Sequence, residues 1–160
     1  MSDRSLVENP DRELIRDIYP LLRKIAAIAG PVDVEPDDLV QDALLRVLKK
    51  GRLTDLENAV AYLRTVIVNQ ASNRRRQMSR HRKALERIAT KDEWIPSYPA
   101  DIEAILDLPP RQRTILYLIE VEGMPYSEAA TELGITASAA RTMALRARKN
   151  ARVALEVAHD

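Results

Sequence analysis

The segment Tyr126–Arg148, YSEAATELGITASAARTMALRAR, has the pattern of two helices joined by a tight turn. Ala129 and Ala130 are small at the point where two such helices must approach closely. Gly134 can adopt the positive φ that the turn requires, and the isoleucine after it can fill the gap between the helices. Thr136 can cap the second helix. The segment therefore predicts a helix-turn-helix.

The second helix of this motif is basic along its exposed side. Five Arg and Lys side chains and no acid lie between Arg141 and Arg152. Such a helix places Arg and hydroxyl side chains against base edges and phosphates in the major groove of DNA. A solvated amphipathic helix in a bundle is the alternative, but the complete turn pattern together with one-sided charge favours DNA binding. The exposed candidates are Arg141, Thr142, Leu145, Arg146 and Arg148.

Outward from this motif the whole chain has a helical pattern. Apolar residues make up 46% and aromatic residues only 4%, with no Phe, so the core must consist of Leu, Ile, Val and Ala. Helical spacing of apolar residues recurs across residues 11–29, after Pro36 and after Asn58. A stretch at 86–100 with two prolines has no such spacing. The sequence predicts an all-α protein with two small helical domains, residues 1–85 and 101–160, joined by a flexible linker at 86–100.

Charge is strongly polarised in a chain whose net charge is only +1. The helix after Pro36 is acidic at its start, which on its own is typical of an ordinary helix N-terminus. Residues 69–83, NQASNRRRQMSRHRK, hold six Arg or Lys side chains and no acid. The alternative is a solvated helix end, but unbroken like charge repels itself. A polyanion would relieve that repulsion.

Composition also excludes several classes of protein. The absence of Cys excludes disulfides, thiolate metal sites and Cys nucleophiles. Neither His81 nor His159 has an evident partner, and no phosphate loop or metal-ligand spacing is present. We therefore expect no catalytic residue, no metal and no cofactor. The polar N-terminus and the lack of a long apolar run predict a soluble cytoplasmic protein without membrane insertion.

Three segments in order carry a family resemblance. They are EPDDLVQDALLRVLKK at 35–50, AYLRTVIVNQASNRRRQ at 61–77, and the segment from 108 to 148 that contains the helix-turn-helix. In order, spacing and length they resemble the extracytoplasmic-function (ECF) class of bacterial sigma factors. The resemblance implies a region 2 domain that docks on core RNA polymerase and melts the promoter −10 element. It also implies a region 4 domain that binds the −35 element.

The resemblance implies a docking face on the helix after Pro36. In the family, two acids and a Gln contact the coiled coil of the polymerase β′ subunit, and the C-terminal domain contacts the β flap. Spacings of three and four residues place the matching side chains on one helix face. These side chains are Asp38, Gln41 and Asp42.

The loop before the third helix holds a flipped-out −10 base in this family. The matching pocket is formed by residues 51–60 and Asn69, whose amide has both donors and acceptors for a base edge. Leu53 stands nearest to the position where the family often has an aromatic residue, and Tyr62 replaces its frequent Trp. The implied −10 DNA contacts are Leu53, Asn69, Arg74, Arg75, Arg76 and Arg80.

The second domain departs from the family at three positions, one of which is Ala140 in place of a core Val. Pro125 stands where the family often has a Ser N-cap, and Met143 replaces a usual Arg of the recognition helix. We expect a −35 preference reset by the lost contact. The implied −35 readers are Arg141, Thr142, Leu145, Arg146 and Arg148.

The resemblance also implies partners. These are core RNA polymerase, promoter DNA and an anti-sigma factor that blocks both binding faces, with the protein at the nucleoid when bound to polymerase. The linker would let the two domains close on each other or spread along the promoter. Two alternatives stay open: a sigma-like decoy that binds only an anti-sigma factor, and a stand-alone helix-turn-helix regulator. The retained basic residues weigh against the first, and the docking triad weighs against the second.

Overall fold

The computed structural model describes residues 9–85 and 99–159. Most of the expected linker, residues 86–98, therefore lies outside the described residues. Every regular element in the described part is helical, which confirms the all-α prediction. The helices are α1 (Pro10–Ala29), α2 (Pro36–Leu48), α3 (Ala59–Leu85), α4 (Ala100–Leu106), α5 (Pro110–Leu116), α6 (Tyr126–Leu133) and α7 (Ala137–His159). A 3-10 turn, Leu53–Asp55, precedes α3, and a π-helical turn, Tyr117–Val121, follows α5.

Polar caps and turn residues fix where the helices begin and end. The Asn9 side chain accepts a hydrogen bond from the Asp11 amide, 3.1 Å away, at the start of α1. Asn58 Oδ1 accepts from the Ala61 amide at 2.9 Å at the start of α3, as the sequence predicts. Gly134 ends α6 with φ +63°, a left-handed conformation that glycine adopts without steric cost.

The first three helices form the core of the N-terminal half. Leu22 and Ile25 of α1, Leu39 of α2 and Leu63 and Ile67 of α3 are fully buried against one another. Aliphatic side chains fill this core, in keeping with a sequence without Phe. Packing of α1 against both α2 and α3 holds the exposed faces of α2 and α3 at fixed positions.

The helix-turn-helix is built on small residues, as its pattern predicts. Ala129 and Ala130 of α6 and Ala140, Ala144 and Ala147 of α7 are all buried in the core where these two helices pack. Short side chains let the two helix backbones approach closely. Thr136 Oγ1 accepts a hydrogen bond from the Ala139 amide at 3.2 Å and caps α7.

The two halves of the chain pack against each other. Buried residues of both halves form one continuous core, and α3 contacts both α5 and α6. The approach is close at Gly134, where an added Cβ would lie 3.0 Å from Thr65 Cγ2. Of the two arrangements that the sequence allowed, this is the closed one.

Candidate polymerase and nucleic-acid interfaces

The α2 face expected to dock on polymerase is open to solvent. Asp38 and Gln41 are exposed, and Asp42 is partly exposed. Two leucines extend this face: Leu45 is 57% exposed and Leu48 is 39% exposed. The helical spacing of apolar residues in α2 places Leu48 next to the buried stripe, but Leu48 is exposed at the last residue of the helix. The face thus combines two acids, an amide and an apolar patch.

A neighbouring acid, Asp37, has a structural role that leaves Asp38 free. Asp37 Oδ1 accepts hydrogen bonds from the Tyr19 hydroxyl at 2.8 Å and from Arg23 Nε at 3.2 Å. Both donors lie on α1, so Asp37 fastens α2 to α1. Burial and the hydrogen bond to Asp37 raise the pKa of Tyr19, which therefore remains a neutral donor.

One docking residue is paired with one basic residue of α3. Arg74 Nη2 donates to Asp42 Oδ2 at 2.6 Å, and both side chains are close to half exposed. A pair this open to solvent contributes about 0–1 kcal/mol. It nevertheless orients Arg74 toward α2, away from the other arginines of the basic stretch.

The loop before α3 is anchored in the core by Leu53, one of the expected −10 DNA contacts. Leu53 is 0% exposed, so this structure does not present its side chain to DNA. The Thr54 amide donates to Asp11 Oδ1 at 3.0 Å and fixes the loop against α1. Leu53 therefore acts as a hydrophobic anchor of the loop here, and the expectation of a direct base contact does not fit its burial.

Two residues of α3 that we expect to contact the −10 element form hydrogen bonds with the C-terminal half instead. Asn69 is exposed, and its Oδ1 accepts a hydrogen bond from Arg111 Nη2 at 2.5 Å. Arg75 Nη2 donates to the Asp107 carbonyl oxygen at 2.5 Å. The closed arrangement thus uses the same polar atoms that a promoter strand would need.

Arg76 and Arg80 remain on the solvent side of α3. Arg76 Nη2 donates to Asn73 Oδ1 at 2.5 Å, and Arg80 Nε lies 3.4 Å from the Arg76 carbonyl oxygen. Both side chains are exposed. Their remaining donors are open to solvent and to any phosphate that approaches.

A buried arginine joins the two halves. Arg113 of α5 is only 7% exposed, and all five of its N–H donors meet carbonyl oxygens. Nε donates to Ile28 at 2.9 Å, and Nη2 donates to Ala29 at 2.8 Å and Gly30 at 3.0 Å, which are the last carbonyls of α1 and its cap. Nη1 donates to the carbonyls of Leu106 and Leu108 within its own half. Burial, with a smaller contribution from the Arg75 charge, lowers the pKa of Arg113 to about 10.

A second polar contact crosses the seam, the surface along which residues 9–85 pack against residues 99–159. Arg64 of α3 and Glu132 of α6 form an ion pair with Nη1 and Oε2 2.7 Å apart, and both side chains are largely buried. Thr65 Oγ1 also lies 3.2 Å from the Glu132 carbonyl oxygen and can donate to it. Sequence reasoning missed Arg64, Arg113 and Glu132, since their partners lie far away along the chain.

The recognition helix α7 presents its first two turns to solvent. Arg141, Thr142, Leu145 and Arg146 are exposed, as the sequence predicts. The Arg141 guanidinium lies over the Tyr126 ring, 5.4 Å from its centroid. This cation–π contact restricts the directions in which Arg141 can point.

Arg148 is engaged within its own half. Its Nε donates to Glu120 Oε1 at 2.7 Å and its Nη1 donates to the Tyr126 hydroxyl at 3.2 Å. The hydrogen bond to Tyr126, and to a smaller extent the one to Glu120, raises the pKa of Arg148. Arg148 therefore braces α7 against the start of α6 and is less available to DNA than Arg141 and Arg146.

Comparison with known proteins identifies both halves. The family described as Sigma-70 region 2 matches residues 14–89, and the family described as Sigma-70, region 4 matches residues 102–150. An RNA polymerase sigma-E factor of Streptomyces coelicolor is 32% identical over 150 residues, covering 84% of this chain and 80% of that protein. The ECF RNA polymerase sigma factor SigM of Mycobacterium tuberculosis is 24% identical over 141 residues, covering 85% of this chain and 72% of that protein.

A solved structure has the same fold. It is the sigma factor RpoE in complex with the anti-sigma factor NepR from Bartonella quintana, with a TM-score of 0.63 and 23% identity. The match covers 91% of this chain and 96% of that one.

The chain belongs to the sigma-70 family of RNA polymerase sigma factors, in its ECF group, whose function is promoter-specific transcription initiation. Within residues 9–85 and 99–159, no helix has the length and apolar character needed to cross a membrane.

Proposed function

We propose that this chain is the promoter-specificity subunit of a bacterial RNA polymerase and performs no catalysis itself. In this proposal residues 1–85 dock on polymerase and read the −10 element, residues 101–160 read the −35 element, and residues 86–100 connect them. The protein works in the cytoplasm and joins the nucleoid when bound to polymerase. The observation that best supports this proposal is that one chain exposes both the acid–amide face of α2 and the Arg141–Arg146 face of α7.

The α2 face docks on the coiled coil of the polymerase β′ subunit. Asp38 and Gln41 are free to accept and donate hydrogen bonds there, and Asp42 joins them when its pair with Arg74 opens. Leu45 adds apolar area next to the polar triad. The combination suits a partner helix with basic and apolar side chains. A second contact with the β flap is made by the C-terminal half.

The promoter contacts divide into phosphate contacts and base contacts. Arg75, Arg76 and Arg80 hold phosphates near the melted strand, which gives affinity and salt dependence but little sequence choice. Asn69 reads a −10 base after the C-terminal half has moved off its amide oxygen. The −35 bases are read by the exposed side chains of α7, namely Arg141, Thr142, Leu145 and Arg146, while Arg148 supports the helix.

An anti-sigma factor is the second class of partner in this proposal. The RpoE structure of similar fold contains such a factor, NepR. The decoy alternative, in which this chain binds only an anti-sigma factor, leaves the exposed reader side chains of α7 without a use. A stand-alone regulator would leave the exposed α2 face without a use.

The test is promoter selection by holoenzyme assembled with an Arg141→Ala variant. We expect a loss of about 1–3 kcal/mol that is confined to one −35 position, because a single base-edge contact is removed. Arg16→Ala, which removes an exposed charge on α1, is the matched control and should leave the preference unchanged. An unchanged preference at every −35 base in the Arg141 variant would rule out the assignment.

A further inference from the structure

A cavity lies at the seam between the two halves, and the function proposed above assigns it no ligand, although it uses two of the lining residues, Arg75 and Arg76. Its volume is about 340 Å³. One wall comes from α3 and the other from the start of α5, so the cavity exists only when the halves are closed. The lining residues are Ser72, Arg75, Arg76, Ser79, Pro109, Pro110 and Arg111.

Among the described residues, the three arginines of this cavity donate hydrogen bonds to neutral oxygens. Arg75 donates to the carbonyl oxygen of Asp107, Arg76 to the amide oxygen of Asn73, and Arg111 to the amide oxygen of Asn69. Among the residues that the structure describes, no carboxylate lies within ion-pair distance of any of the three. Two other arginines of α3, Arg64 and Arg74, do have such partners.

The cavity therefore concentrates positive charge that no carboxylate of residues 9–85 and 99–159 neutralises in an ion pair. A guanidinium carries five N–H donors in a planar fork, and each of these three arginines uses one in a hydrogen bond given above. The hydroxyls of Ser72 and Ser79 also line the cavity. The positive charge of Arg75 is also felt at Arg113, whose pKa it helps to lower.

We propose that this seam cavity binds a small phosphate-bearing anion. Several guanidinium forks and hydroxyl donors around one space match the oxygens of a phosphate group, which accepts charge-assisted hydrogen bonds. The volume is near the lower end of the roughly 300–1,000 Å³ typical of small-molecule sites. An inorganic phosphate, a diphosphate or the phosphate of a small metabolite has the required chemistry.

Occupancy of this cavity stabilises the closed arrangement. Arg75 and Arg76 come from α3 whereas Arg111 comes from α5, so a ligand that touches both walls binds the closed form more tightly than the open one. Stabilisation of the closed form has a regulatory consequence, which rests on the promoter-reading function proposed above. The same closure holds Asn69 and Arg75 away from the −10 strand, so the anion opposes promoter binding.

The direct test is calorimetric titration of the full chain with inorganic phosphate and with diphosphate, against sodium chloride at matched ionic strength. We expect saturable binding to the wild-type protein and at least a tenfold weaker association with Arg111→Gln. Arg16→Gln, which removes one exposed charge from α1, should bind like the wild type. Absence of saturable binding, or equal binding by the Arg111 variant, would overturn the proposal.

A second variant protects the test against a folding defect of the first. Ser79→Glu adds a carboxylate to the cavity wall while all three arginines remain. We expect this variant to lose phosphate binding and to melt at a higher temperature than the wild type without phosphate. Retained phosphate binding would place the anion elsewhere and overturn the proposal.

Promoter duplex distinguishes a free anion from a DNA phosphate as the occupant. At fixed ionic strength, phosphate should weaken promoter binding by wild-type holoenzyme and have a smaller effect with Arg111→Gln. If the duplex binds in an Arg111-dependent manner while free phosphate never binds, the cavity belongs to the DNA path and the proposal is wrong. Calorimetric phosphate binding in a protein that fails to support transcription would refute the proposed function and leave the anion site standing.

Discussion

Replacing Arg113 with methionine removes the buried guanidinium that fastens α5 to the end of α1. Three of its hydrogen bonds cross the seam, at 2.8 to 3.0 Å, to carbonyls of Ile28, Ala29 and Gly30. A hydrogen bond to a charged group contributes about 1.5–3 kcal/mol net, so three could supply up to ~9 kcal/mol. Burial of the guanidinium opposes this gain, as its lowered pKa indicates. We expect the Arg113→Met variant to lose about 2–4 kcal/mol of unfolding free energy.

The assays are urea denaturation and thermal melting, both monitored by circular dichroism, with small-angle scattering to measure compactness. In a chain of this length, 1 kcal/mol shifts the melting temperature by about 2–4 °C, so the drop should be roughly 4–16 °C. The variant should also be larger than the closed protein, whose radius of gyration should be near 15 Å, about the value of a compact chain of this length. The matched control is Arg111→Met, because Arg111 lies two residues away and donates one hydrogen bond across the seam. This variant should lose less than about 1 kcal/mol of unfolding free energy.

The same comparison has a defined pH dependence. The pKa of Arg113 is lowered by burial to about 10 in the folded protein, well below the ordinary value of a guanidinium. Below about pH 9 the group is protonated in both the folded and the unfolded state, so the difference between wild type and variant should stay constant from about pH 6 to pH 9. Between the two pKa values the unfolded state binds more protons, so this group's contribution to stability rises with pH there. The reasoning would be refuted by an Arg113→Met variant whose free energy of unfolding lies within about 0.5 kcal/mol of the wild-type value and whose radius of gyration is unchanged.

Three further predictions concern the turn, the recognition helix and the basic stretch. Gly134→Ala should cost about 1–2 kcal/mol in urea denaturation, because φ is +63° and the new Cβ would press on Thr65; an unchanged midpoint would contradict this. Tyr126→Leu should relax the −35 position read by Arg141 in a promoter library while Tyr126→Phe keeps it, and equal effects would show that the ring does not orient Arg141. Arg75→Ala should weaken binding to all promoters alike and reduce the salt slope by about 1, whereas a loss confined to one −10 sequence would disprove a phosphate contact.

The helix-turn-helix could be predicted in detail because its signals are local. The positive φ of Gly134, the cap of Thr136 and the close approach at Ala130 each depend on residues within one turn of the chain. The exposure of Arg141 and Arg146 also follows from helical spacing alone. Local rules thus predicted the class of fold and the part of the site that lies on a single helix.

Contacts across the seam could not be predicted because they depend on packing between the halves. The carbonyls that Arg113 binds on α1 lie more than 80 residues earlier in the chain. Leu53 illustrates the same limit, since a leucine in a polar loop can face a ligand or anchor the loop, and only its burial in the core decides between them. Leu48 continues the apolar spacing of α2 but is exposed at the last residue of the helix, where it extends the docking face.

The central claim is that this chain directs core RNA polymerase to a defined class of promoters. Run-off transcription from a promoter library, with purified core polymerase in the presence and absence of the protein, tests it most directly. We predict transcripts that appear only with the protein and share one −10 and −35 pair upstream of their start sites. Polymerase that neither binds the protein nor initiates in its presence would contradict the claim.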